Sequence, residues 1–299
     1  KVLTFPSFLD MDYYYFDECE LARENGQGMI VAKARRKGFS YKNGALCVHQ
    51  YNFFRDSTSI IGAYLNDGNG SSSGHVRVYQ YSGSSWSQLG SDIDGEAGAD
   101  WFGSSVSLDS DGDIVAVGAP KNDGNGSASG HVRVYQYSGG SWSQLGGDID
   151  GEAAGDGNSG CSVSLSNDGT IVAIGAPEND GNGSGSGHVR VYNWTGNSWN
   201  QIGQDIDGEA AGDDSGISIS ISSDGNTVAI GATSNDGNGS NSGHVRIYNW
   251  SGTSWNQVGS DIDGEAAGDK SGTSVSLSND GNTVAIGATH NDGNGSNSG

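Results

Sequence analysis

The chain has 299 residues, of which 52 are glycine, three are proline and 33 % are hydrophobic. Acids outnumber bases 36 to 14, for a formal net charge of −22. A phosphate backbone or an anionic membrane surface would repel such a chain, so no nucleic-acid partner is expected. Low hydrophobicity with abundant glycine fits either disorder or an all-β fold rich in turns, and periodicity decides between them. Cys19, Cys47 and Cys161 form neither a disulfide framework nor a zinc spacing. No apolar run is long enough to span a bilayer, so this segment is not expected to insert directly into a membrane. The chain begins at Lys1 and stops at Gly299 inside a repeat. We read it as an interior piece of a longer protein, whose leader or anchor would lie elsewhere.

Residues 1–59 read as degenerate partial repeats. Glu24-Asn25-Gly26 with Met29-Ile30-Val31-Ala32 echoes a hairpin found again at Asn167-Asp168-Gly169 with Ile171-Val172-Ala173. Gly44-Ala45-Leu46-Cys47-Val48-His49-Gln50-Tyr51 echoes Gly74-His75-Val76-Arg77-Val78-Tyr79-Gln80-Tyr81. These copies lie too close together, so part of a unit is missing between Tyr51 and Ile60. The basic run Arg35-Arg36-Lys37 reads as solvated surface.

Residues 60–299 are a repeat array. Gly-His-Val-Arg-(Val/Ile)-Tyr recurs with its histidine at His75, His131, His188 and His244, and a tryptophan follows each at Trp86, Trp142, Trp199 and Trp255. Asn-Asp-Gly-Asn-Gly-Ser starts at Asn66, Asn122, Asn179, Asn235 and Asn291. The step is 56 or 57 residues, far beyond chance. One unit predicts four strands. Ser162 to Ser166 alternates serine with Val163 and Leu165, the two-residue period of a strand. Asn167-Asp168-Gly169 predicts a tight turn. Ile171-Val172-Ala173-Ile174 is continuously apolar and suits a strand covered on both faces. His188 to Tyr192 alternates again, and the fourth strand runs from Trp199 through Ile202 toward Ile206. Four antiparallel strands per unit predict an all-β chain, a β-propeller of four-stranded blades with about 56 residues per repeat. The serine-bearing strand suits the inner position and the Asp-Ile-Asp-Gly-Glu strand the outer edge, where charge discourages pairing with other chains. A β-solenoid is the alternative, but its coils are usually much shorter.

The unit resembles the FG-GAP repeat of the integrin α-chain N-terminal propeller. Phe102-Gly103-Ser104-Ser105-Val106 matches its first half, and Gly118-Ala119-Pro120 and Gly175-Ala176-Pro177 match its second. Later units drift to Ser159-Gly160, Ser215-Gly216 and Ser271-Gly272, and to Gly231-Ala232-Thr233 and Gly287-Ala288-Thr289. The resemblance implies a seven-bladed ring of which this chain is a fragment, a cell-surface or secreted location, and adhesion or ligand binding. The family's calcium site is a run of alternating carboxylates between the first two strands. Here that connection is Ser166-Asn167-Asp168-Gly169 with one acid, and a calcium cage needs six or more oxygens.

Four features have the residue types for chemistry. Asp92, Asp94 and Glu96 alternate, as do Asp148, Asp150 and Glu152, then Asp205, Asp207 and Glu209, then Asp261, Asp263 and Glu265. Carboxylates two apart share one strand face, so each set is either a calcium site or a solubilising edge. The histidines, with the arginines two residues later, form the same constellation in every unit, which reads as a structural ladder rather than a catalytic site. Trp86, Trp142, Trp199 and Trp255 either stack on sugar rings or pack blade on blade. Asn69, Asn125, Asn182, Asn238 and Asn294 begin N-glycosylation sequons, as do Asn193 and Asn249; alternatively Asn-Gly supplies turn geometry. No phosphate loop or nucleophile elbow is present. The sequence therefore predicts a non-enzymatic extracellular or cell-surface propeller with a protein or glycan ligand, no certain cofactor and calcium as the candidate ion. The alternatives are a multivalent glycan-binding propeller and an enzyme whose active site lies outside this fragment.

Overall fold

The computed structural model describes residues 58–154, 159–293, 295 and 299. The N-terminal echoes, Cys19, Cys47 and Asn294 lie outside the described residues. All described regular structure is β. Blade one holds β1 (Thr58–Ala63), β2 (His75–Tyr81), β3 (Trp86–Gln88) and β4 (Ile93–Asp94). Blade two holds β5 (Ser105–Leu108), β6 (Ile114–Ala119), β7 (His131–Ser138), β8 (Ser141–Gln144) and β9 (Ile149–Asp150). Blade three holds β10 (Ser162–Leu165), β11 (Ile171–Ala176), β12 (His188–Trp194), β13 (Trp199–Gln201) and β14 (Ile206–Asp207). Blade four holds β15 (Ser218–Ile221), β16 (Thr227–Ala232), β17 (His244–Trp250), β18 (Trp255–Gln257) and β19 (Ile262–Asp263). Blade five contributes β20 (Ser271–Leu277) and β21 (Val284–Ala288).

Within a blade the sheet is an antiparallel meander in chain order, β10-β11-β12-β13 in blade three. The predicted fourth strand is interrupted. Its first half, β13, pairs with the end of β12, and its second half, β14, pairs with the start of β12 at His188 and Val189. Between them Gly203 takes φ +77, with the rings of Trp250 and Trp255 from the next blade against it. A positive φ next to foreign aromatic rings favours glycine over any residue with a side chain, and it breaks the ladder there.

The apolar core lies between blades. Val132, Val134 and Ile149 of blade two cluster with Leu165, Val172 and Ile174 of blade three. Ala173, Val189, Val191 and Ile206 of blade three cluster with Ile221, Val228, Ile230 and Trp255 of blade four. Strand two of blades two, three and four is buried almost throughout because its alternate side chains face two different neighbours. That accounts for its continuously apolar sequence.

The first strands join blade to blade through their serines. Ser162 Oγ donates to Gly216 O and Ser218 Oγ to Gly272 O, each 2.7 Å. Leu165 and Ile221 donate their amides to Ser107 Oγ and Ser164 Oγ of the preceding blades, at 2.9 and 3.1 Å. The two halves of the FG-GAP pattern also meet across a junction. A Cβ on Gly175 would sit inside the van der Waals envelope of Gly216 O, so the strand-two glycine of one blade and the opening glycine of the next are in backbone contact.

Candidate functional site

The repeated polar residues converge at the blade junctions. His188 and Arg190 project from one face of β12, two residues apart. Arg190 reaches back to Glu152 of the preceding blade and sideways to Asp205 of its own, with Nε 3.2 Å from Asp205 Oδ1. His188 Nδ1 faces the same two acids, 4.0 Å from Glu152 Oε2 and 3.9 Å from Asp205 Oδ2. The next junction repeats this. Arg246 pairs with Glu209, its Nε lies 3.3 Å from Asp261 Oδ1, and His244 Nδ1 lies 3.8 Å from both Glu209 Oε2 and Asp261 Oδ2. Arg133 joins Glu96 to Asp148, with His131 Nδ1 3.8 Å from Asp148 Oδ2. In blade one Arg77 binds Asp92 through both Nε and Nη2, at 2.9 and 2.7 Å.

The acidic triplets therefore divide their labour. The first aspartate pairs with its own blade's arginine and glutamine; Gln88 Nε2 donates to Asp92 at 2.7 Å. The glutamate pairs forward with the next blade's arginine in the Glu96, Glu152 and Glu209 copies. The middle aspartates Asp94, Asp150, Asp207 and Asp263 sit in the short outer strand opposite His75, His131, His188 and His244. Together they form clusters that can hold a metal ion: His75, Asp92 and Asp94; His131, Asp148 and Asp150; Glu152, His188 and Asp205; Glu209, His244 and Asp261. Each cluster has ligand-type atoms within 4.8 Å of one another. Glu265 accepts from Asn291 Nδ2 at 3.3 Å.

Electrostatics follow these partners. Hydrogen bonds from Arg77 and Gln88 hold the Asp92 carboxyl down at about 2. Burial alone would raise Asp148, but Arg133 and Gln144 keep it below the usual carboxylate range. Burial lowers His131 and His244 against the opposing pull of the nearby aspartates.

Three of the tryptophans fall on the same junctions. Trp142, Trp199 and Trp255 donate Nε1 to the backbone carbonyls of Leu89, Leu145 and Ile202 in the preceding blades, at 2.7 to 2.9 Å. Trp86 leans on Tyr81, as Trp199 does on Trp194, with centroids 5.2 and 5.4 Å apart. Asn69, Asn125, Asn182 and Asn238 turn their side-chain amides inward. Asn125 Nδ2 donates to Gly151 O and Glu152 O at 2.8 and 2.7 Å, and Asn182 and Asn238 repeat that clamp. Asn69 Nδ2 donates to Gly95 O at 3.0 Å. Those nitrogens are the atoms a glycan would use. Asn249 Nδ2 donates to Asn226 O at 3.1 Å, and Asn193 lies in β12 opposite Asn200.

Sequence reasoning did not anticipate that glutamate and arginine partner across a junction, or that the loop asparagines hold the acidic hairpin. Both need the relative placement of two blades, which one repeat does not encode. Equal copy number of Glu and Arg was the available signal.

Comparison with known proteins supports the repeat reading. A model of the FG-GAP repeat matches residues 91–135 and 261–299. No curated protein matches the chain in sequence. Among solved structures, the periplasmic gluconolactonase of Pseudomonas aeruginosa is similar with a TM-score of 0.52 at 17 % identity, covering 77 % of this chain and 61 % of that one. A candidate 6-phosphogluconolactonase of Bacteroides uniformis gives 0.49 at 12 % identity over 82 % and 64 %. The chain thus spans less than two thirds of either protein, and at 17 % identity the likeness to the Pseudomonas protein concerns fold alone. Among the described residues no helix is long and apolar enough to cross a membrane. Repeat match and four-stranded blades agree: this chain is an all-β, propeller-type protein in which residues 91–135 and 261–299 match the FG-GAP repeat.

Proposed function

We propose that the chain is a non-enzymatic recognition module, an integrin α-like propeller array that binds a protein ligand outside the cell. One observation carries this reading. Every His/acid cluster among the described residues is built on the repeated histidine and the first aspartate of its own blade, completed by that blade's second aspartate or by the preceding blade's glutamate, whereas catalysis needs one distinct constellation. Repetition of a clamp supports a rigid scaffold that presents its loops to a ligand. A protein ligand is favoured over sugar stacking because three of the tryptophans spend their ring N–H on the neighbouring blade. The expected calcium is the oxygen-only version of the junction site. The histidine in each cluster argues for another cation, taken up below.

The test is binding of the full chain to arrays of extracellular matrix proteins and of glycans, beside a gluconolactone hydrolysis assay. Saturable binding to a protein with no lactone turnover is the expected result. Several equal glycan sites per chain would replace this reading with the lectin-like one. Lactone turnover would replace it with the enzyme reading that the gluconolactonase-like fold raises.

A further inference from the structure

We propose that two blade junctions bind a divalent transition metal that takes nitrogen ligands, such as Zn(II), held by His244 Nδ1, Asp261 Oδ2 and Glu209 Oε2 and by the equivalent atoms of His188, Asp205 and Glu152. The inference stands apart from what the array recognises.

His244 is 2 % exposed, and its Nδ1 is buried without a hydrogen-bond partner. That atom points between two carboxylate oxygens, each 3.8 Å away. The distance is too long for a hydrogen bond. It is the spacing of two donors flanking a cation at a wide angle with bonds of roughly 2.0–2.2 Å. A buried imidazole nitrogen left without a partner is costly, and a metal supplies what is missing.

Arg246 does not compete for these atoms. It takes Oε1 of Glu209 and Oδ1 of Asp261, the other oxygen of each carboxylate, and so turns Oε2 and Oδ2 toward the imidazole. It orients ligands from behind, as outer-shell partners do at metal centres. Charge agrees as well. Asp213 and Asp263 also act on His244, so four carboxylates act on a site with one guanidinium, and a dication reduces the surplus. The Glu152, His188 and Asp205 junction repeats the geometry at 4.0 and 3.9 Å. His131 departs from this geometry: its unpartnered atom is Nε2, and its Nδ1 faces Asp148 alone. The side chain of Glu209 is 45 % exposed, which leaves a route from solvent.

The donor set chooses the ion. Calcium takes oxygen ligands in number, whereas one imidazole with two carboxylates suits zinc and its neighbours. The site lies between strands three and four of adjacent blades, away from the hairpin that joins strands one and two.

The experiment is titration of the metal-stripped full chain with Co(II), read by its visible absorption, followed by displacement with Zn(II) or Ca(II). Expected are strong ligand-field bands, displacement by Zn(II) but not by equimolar Ca(II), and loss of one bound cobalt per chain in His244→Gln. If His244→Gln does not fold, Glu209→Gln at the half-exposed position replaces it and also loses one cobalt. Absence of the bands, displacement by Ca(II) as effective as by Zn(II), or unchanged stoichiometry in a folded variant would overturn the proposal.

Discussion

Gly175→Ala tests the junction at its tightest point. Gly175 has an ordinary strand conformation, so alanine carries no backbone strain there. Its new methyl group would meet Gly216 O of the next blade and Ser162 Oγ of its own. Gly216 O is backbone and also accepts the Ser162 hydroxyl at 2.7 Å. The methyl therefore pushes blade four from blade three and breaks that hydrogen bond. Overpacking costs about 1–3 kcal/mol and the lost hydrogen bond about 1 kcal/mol, so the expected destabilisation is about 3 kcal/mol. For a chain of this size each kcal/mol lowers Tm by roughly 2–4 °C, which puts the midpoint roughly 6–12 °C lower. Gly147→Ala is the control, because nothing lies within 4 Å of its Cβ position; its effect should stay within about 0.5 kcal/mol. The assay is paired urea and thermal unfolding followed by tryptophan fluorescence. A Gly175→Ala midpoint indistinguishable from that of Gly147→Ala would refute the packing of glycine on glycine across the junction.

Three further outcomes are expected. Trp199→Phe keeps the ring but loses the bond to Leu145 O, and should cost about 1 kcal/mol in urea unfolding. Acid titration of stability should show a decline below about pH 4. In the hairpins, Ser222 and Asn226 hold Asp224 low, Ser278 and Asn282 hold Asp280 at about 2, and Asp168 is kept low by Thr170 and Ser166 despite burial. Their contribution is present above the unfolded carboxylate pKa and disappears as pH falls through the folded one. Asp224→Asn should flatten that decline. Asp109 runs the other way: it stands where later blades have Ser166 and Ser222, and burial raises it to about 6. Its ionisation weakens the fold as pH rises from about 4 through 6, so Asp109→Ser should raise stability at pH 7 by roughly 1–3 kcal/mol and leave it little changed at pH 3.

Much of this architecture is legible in the sequence because the same physics is written repeatedly. The alternation of Ser162 to Ser166 and the unbroken apolar run from Ile171 mark β10 and β11, and Asn167-Asp168-Gly169 marks the turn between them. The break in the outer strand at Gly203 was not legible. Gly203 looks like many other glycines in the chain; its positive φ sets the break, and Gly259 repeats both φ and break with nothing within 4 Å of its Cβ position. The candidate site was legible in composition only. Asp92, Asp94 and Glu96 look like one set along a strand, yet the glutamate serves the next blade and the first aspartate its own. Likewise Asn125 reads as a glycan acceptor until the acidic hairpin is brought against its amide.

The central claim is that residues repeated once per blade act between blades. A double-mutant cycle on Glu152→Gln and Arg190→Met in the full chain tests it most directly. Arg190 is largely buried against the half-exposed Glu152, so their interaction is screened only in part. The predicted coupling is about 1–2 kcal/mol, with Glu152→Gln costing little once Arg190 is gone. Additivity within about 0.5 kcal/mol would mean that the two blades do not meet through this pair, and would contradict the account.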